Sequence, residues 1–288
     1  MNMMYTKPKP QPPVITIVGM PGGGKTTLGG LFPQPVFIQA ENSETIFEEW
    51  DNPPAFMPQI NAVKRHGDAI TKTAFDQVMD QLRWLMSNEH DRKTLVVDSV
   101  SALDRLFTQD ICVEENVSNL GEAAGGYGKG DLILLERHTR FRQACEHLRK
   151  AKGMTLVFLS HSTVQKVKSG PDVDEYMVHT LEVSPKSVPV YVNFSDCVLY
   201  IRKDEIITGK ETDKKGRVTK FGKVMNTGLR SIVTTGDGRV GYVNAKTRYA
   251  MPADIAFKVG ENPLLEHIPF LRGGLDAVNT IVNNGEGE

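Results

Sequence analysis

Residues 19–26 read GMPGGGKT and fill every fixed position of the pattern G-x-x-x-x-G-K-[ST], directly after the apolar run VITIV. A buried strand that ends in such a glycine turn and leads into a helix forces several backbone N–H groups to converge on one point, the arrangement that holds phosphate. In that pattern Lys25 reaches the β and γ phosphates of a nucleoside triphosphate and the Thr26 hydroxyl faces Mg²⁺. Gly19, Pro21, Gly22, Gly23, Gly24, Lys25, Thr26 and Thr27 are therefore the expected nucleotide-binding residues, with ATP and Mg²⁺ as the expected ligands. The alternative is a chance glycine-rich turn.

The rest of the chain agrees with an α/β protein. Short β-rich runs (VITIV, PVFIQ, TLVVD, MTLVFLS and DCVLYI) alternate with amphipathic stretches, the pattern of a mostly parallel sheet covered by helices. Phe75, Val78, Met79, Leu82, Leu85 and Met86 recur at helical spacing. Leu103, Leu106, Phe107 and Ile111 mark a second helix starting near Ser101, and Leu134, Phe141, Cys145 and Leu148 a third over 131–150. Two segments break the alternation. Residues 121–130, GEAAGGYGKG, carry five glycines and read as a loop that approaches something closely or moves. Residues 202–230 hold nine basic and four acidic side chains, a local +5 in a chain of net charge -1. A uniformly basic coat is excluded, so any nucleic-acid surface is local.

Three cysteines, Cys112, Cys145 and Cys197, lie far apart with no CxxC pair. That argues against a zinc ribbon or a disulfide framework and fits a reducing compartment. The polar, proline-rich start MNMMYTKPKPQPP is no signal peptide, and no 18-residue apolar run occurs. The expectation is a cytoplasmic protein with no membrane partner and a flexible arm at 1–13.

Asp98 closes the run TLVVD, where a carboxylate at a strand tip can hold the water shell of Mg²⁺; the alternative is an ordinary strand-end Asp. Ser99, not a glutamate, comes next, so the group that polarises the attacking water must stand elsewhere. Glu41, just past PVFIQ, is the best placed carboxylate, with a solvent-facing loop residue as the other reading. His161, at the end of MTLVFLS, falls on the carboxyl edge of the sheet, where open α/β folds bind ligands. It is a candidate sensor of the γ-phosphate or a structural histidine. In AKTRYAMP, an extended chain would put Lys246 and Arg248 on one side. They could clamp a neighbouring subunit's triphosphate or line a solvated strand edge.

Taken in order, GMPGGGKT, FIQAE, LVVDS, GYGKG, LSHS and AKTRYAMP resemble the phage RecA-like P-loop ATPases that include the Sak-type single-strand annealing proteins and AAA_24-like nucleotide-binding proteins. The resemblance covers roughly residues 14–255. It implies a RecA-like P-loop NTPase core at 14–255 with a basic β-rich insertion at 202–230, and leaves 256–288 as a C-terminal extension with an acidic tail. It implies Glu41 as catalytic glutamate, Asp98 as the Mg²⁺-site aspartate and His161 in the sensor position. AKTRY is similar to the K-x-R elements of related recombinases and helicases, which implies that Lys246 and Arg248 act across an interface of a homo-oligomeric ring or filament. Its DNA-contacting loops would fall at 121–130 and 163–186. The second of these has three lysines against four carboxylates, so Tyr127, Lys129, Lys214, Lys215, Arg217, Lys220 and Lys223 are the better candidates for a groove combining backbone neutralisation with stacking. The function implied is a DNA-stimulated ATPase acting on single-stranded DNA in phage recombination or replication, with recombination or replication proteins as further partners. A small-molecule kinase and a non-catalytic, ATP-dependent assembly module remain the alternatives.

Overall fold

The computed structural model describes residues 11–67, 69–168, 172, 174–208, 211–212, 218–220, 223–236 and 245–272, and between 204 and 228 the backbone only. Its centre is a sheet whose strands are β1 (Val14–Gly19), β2 (Pro35–Gln39), β3 (Ala55–Phe56), β4 (Thr94–Asp98), β5 (Thr155–Val167), β6 (Tyr176–Leu181), β7 (Cys197–Thr208), β8 (Lys223–Val233), β9 (Lys246–Thr247) and β10 (Asp254–Phe257). The spatial order is β10-β8-β7-β1-β5-β4-β2-β3, with β9 also paired to β7 and β6 to β5. From β7 to β3 every pairing is parallel, while β8, β10, β9 and β6 add on antiparallel. This is the mostly parallel α/β sheet expected of a RecA-like P-loop NTPase core.

The central strands are apolar at consecutive positions because both faces are covered. Val14, Ile38, Leu95, Val97, Leu156 and Phe158 turn to one side, where they join the buried faces of α2 (Ala74–Ser87), α3 (Val100–Glu115) and α4 (Lys129–Lys152). Ile15, Ile17, Phe37, Val96, Val157 and Leu159 turn to the other, against Leu28 of α1 (Lys25–Gly30), Phe47, and Leu264, Leu265, Ile268 and Leu271 near the C-terminus. The chain thus contributes to the core as far as Leu271. Thr73 caps α2 by accepting the Asp76 N–H, and Ser99 caps α3 by accepting that of Ala102. The three helices lie within a few residues of their predicted bounds.

Two strands run longer than their apolar cores predict. β5 continues past Ser160 to Val167, and its last six residues, Ser162–Val167, pair antiparallel with β6 as a two-stranded ribbon. β7 continues to Thr208 and pairs with β8, so the ends of the basic 202–230 segment are continuous with the main sheet. Among the candidate DNA residues, Lys214, Lys215 and Arg217 lie outside the described residues. Lys220 stands in a short strand, Val218–Lys220, and Lys223 opens β8.

Candidate active site

Of four adjacent strands, β1, β4 and β2 end along one edge of the sheet and β5 crosses that edge at His161, and each delivers one candidate residue there. Gly19 is in register with His161, and Asp98 with Gln39. The Asp98 carbonyl accepts the N–H groups of Ala40 (2.8 Å) and Glu41 (3.2 Å), which pins Glu41 to the tip of β4 although it follows β2. The edge opens into a cleft of about 330 Å³ lined by the glycine loop, Thr26, Glu41, Asp98 and His161. Open α/β sheets bind ligands at this edge.

The loop itself depends on glycine where the backbone turns left-handed. Gly22 has φ 69° and Gly24 φ 94°, and a side chain at either would be strained. The Lys25 ammonium donates to the carbonyls of Gly19 (2.9 Å) and Met20 (3.0 Å). Burial holds its pKa below the usual lysine value. Gly19 itself stands at the end of β1, behind the cleft, and acts through that carbonyl. Thr26 Oγ1 donates to Asp98 Oδ2 at 2.8 Å. Asp98 is 3% exposed, and burial raises its pKa against the opposing Thr26 hydrogen bond. These groups fit Mg²⁺: a carboxylate and a hydroxyl are hard oxygen donors, and the Ser43 hydroxyl of the same cleft also faces Asp98. Among the described residues no cluster of three or more His, Cys, Asp or Glu side chains forms a metal cage, so phosphate oxygens and water would have to complete the shell.

Glu41 is the most heavily engaged carboxylate of the site. Its Oε1 accepts the Ser99 hydroxyl (2.8 Å) and an Arg105 N–H (3.3 Å), and both oxygens lie 3.1 Å from His161 Nε2. The His161 hydrogen bond, aided by Ser99 and opposed by partial burial, pulls its pKa down to about 2. The same Ser99 Oγ caps α3. The serine that stands in place of a glutamate after Asp98 therefore holds the glutamate supplied by the next strand.

The AAA_24 family model, described as an AAA domain, matches residues 11–244. The chain belongs to this family. Among solved structures it resembles the RadB recombinase, with 15% identity, 88% of this chain and 90% of that chain covered, and a TM-score of 0.44. No curated protein matches the sequence. As an AAA_24 domain with a complete phosphate loop, the chain is a P-loop ATPase.

Other predicted residues of this AAA_24 chain lie away from its own cleft. Lys246 and Thr247 pair with Val198 and Cys197 at the start of β7, toward the opposite end of the sheet. Lys246 Nζ donates to the Asn193 carbonyl (3.3 Å), and Arg248 pairs with Asp196 (3.0 Å). The extended geometry expected for both stops at Thr247, because the chain bends at Arg248. Tyr127 is 99% exposed at the tip of the glycine-rich loop, and Lys129 begins α4 beside it. Arg105 and Arg230, and Ser99, which the sequence marks only as the absence of a glutamate, also touch the site. Only Ser99 had a visible signal, its place directly after Asp98. Among the described residues no helix is long and apolar enough to cross a membrane.

Proposed function

We propose that the chain is a Mg²⁺-dependent, DNA-stimulated ATPase that works as a homo-oligomeric ring or filament on single-stranded DNA, in phage recombination or replication. The observation that carries the catalytic part is Glu41, brought to the cleft and oriented by Ser99, His161 and Arg105. The loop N–H groups and Lys25 bind the β and γ phosphates, and Glu41 orients a water molecule for in-line attack. Thr26 and Asp98 would hold Mg²⁺, which supplies charge neutralisation on the phosphate oxygens when bound. His161, bonded to Glu41 and followed directly by the β5–β6 ribbon, senses the γ-phosphate and passes its state to that ribbon. Lys246 and Arg248 stand far from their own cleft, which supports their acting on a neighbour's triphosphate. Tyr127, with Lys129, supports a stacking contact to bases.

ATP turnover measured against increasing single-stranded DNA tests this reading. A rise with DNA in an assembled preparation is expected, and a flat rate there rejects DNA as the substrate. Mixing Arg248→Ala with Glu41→Gln subunits should restore some turnover, and no recovery would reject the contribution in trans.

A further inference from the structure

The cleft has a second cationic wall, on the flank opposite Asp98 and Glu41. β7 and β8 lie beyond β1 on the side away from β4 and β2. In their antiparallel ladder Arg230 is directly opposite Lys203, so both side chains leave the same face of the ribbon. Arg230 lines the cleft, and its Nε donates to the Gly23 carbonyl at 3.0 Å. Lys203 Nζ lies 3.5 Å from where a Cβ on Gly22 would stand. Their neighbour Arg202 points elsewhere, to an ion pair with Asp254.

Like charges directly opposite across an antiparallel pair destabilise a sheet. Neither Arg230 nor Lys203 forms an ion pair among the described residues, although Arg202 beside them does. Two cations that converge on the phosphate loop with no ion-pair partner among the described residues suit an anion. With Nε fixed on Gly23, the guanidinium still has its two terminal nitrogens available as a fork for phosphate oxygens.

We propose that Arg230 and Lys203 form a clamp, within the same chain, on the α and β phosphates of the bound nucleotide. Their flank determines which phosphates they meet. Asp98, Glu41 and His161 occupy the side where the γ-phosphate reacts, so a clamp across the loop from them contacts the part that ATP and ADP share. This assignment rests on the nucleotide-hydrolysis reading of the cleft and adds two ligands to it.

Calorimetric titration of the full chain with ADP and with a non-hydrolysable ATP analogue, both with Mg²⁺, tests the clamp. Arg230→Ala should weaken both nucleotides by a similar factor, about 10- to 100-fold for one charge-assisted contact. Arg230→Lys should recover part of that loss, and Lys203→Gln should weaken both by a smaller factor. Lys203 is exposed, so Lys203→Gln reports on the clamp even if Arg230→Ala fails to fold. Affinities within about twofold of wild type in both Arg230→Lys and Lys203→Gln would overturn the clamp, as would a loss confined to the ATP analogue. A wild-type chain that binds neither nucleotide would overturn the hydrolysis reading and the clamp with it.

Discussion

Asp98→Asn should change stability and ligand response in opposite directions. This carboxylate is 3% exposed, accepts the Thr26 hydroxyl with the Ser43 hydroxyl beside it, and has no ion-pair partner among the described residues. Glu41 adds repulsion, and Lys25 attracts the carboxylate only from a distance, its ammonium being spent on two carbonyls. A raised carboxylate pKa means that stability is fullest below the ordinary aspartate range and is lost as pH rises through the folded value. At neutral pH the charge is therefore a cost. Asparagine keeps the acceptor for Thr26, removes the charge, and brings an amide that can donate to the Ser43 hydroxyl. The gain should be about 1–2 kcal/mol, or roughly 2–3 °C in Tm for a chain of this size. The gap to wild type should close as pH falls into the carboxylate range, where protonation does what the amide does. The response to ligand reverses. Nucleotide at about 100 times its Kd stabilises by about 2.7 kcal/mol, and the Mg²⁺-dependent part of that shift should vanish in the variant. Thermal melts in chelator, and in Mg²⁺ with a non-hydrolysable ATP analogue, measure both halves. A variant that melts below wild type in chelator, or that keeps the full Mg²⁺-dependent shift, refutes the argument.

Glu41→Gln should bind nucleotide like wild type but lower kcat by about 10²- to 10⁴-fold, the range for losing a general base, as read by phosphate release. Glu41 has its pKa lowered to about 2, so the stability it contributes is present above the ordinary carboxylate value and lost as pH falls from about 4.5 towards 2; acid titration of Glu41→Gln should lack that part of the slope. Gly130→Ala should cost about 1–3 kcal/mol, because its Cβ would stand 2.1 Å from the Leu120 carbonyl oxygen, and chemical denaturation should show the midpoint fall. Tyr127→Ala, at a fully exposed side chain, should leave DNA-free turnover intact and weaken single-stranded DNA affinity by about 1–3 kcal/mol if one base stacks there, as measured by fluorescence anisotropy.

The residues legible in the sequence are those whose role is set within a few positions along the chain. The phosphate loop is one contiguous turn, and Asp98 is marked by the apolar strand that it ends. Glu41 and His161 are legible because each follows closely on an apolar run, and parallel pairing carries the ends of such runs to a common edge. What escaped depends on which strands become neighbours. Arg230 is 207 positions from the Gly23 carbonyl that it bonds, and only the β1–β7 and β7–β8 pairings bring them together. Counting charge over 202–230 found the excess but could not sort it. Strand alternation does the sorting, by sending Arg202 to Asp254 on one face and Lys203 to the loop on the other. The strand extensions escape for a related reason: residues such as Thr163, Gln165 and Lys166 are exposed, so no apolar alternation announces that part of the strand. Ser99 shows how adjacency in sequence can mislead about function. Next to Asp98 it reads as the absence of a catalytic glutamate. In the folded chain, with β2 beside β4, its hydroxyl caps α3 and grips Glu41, so the same position supplies the support for the base instead of the base itself.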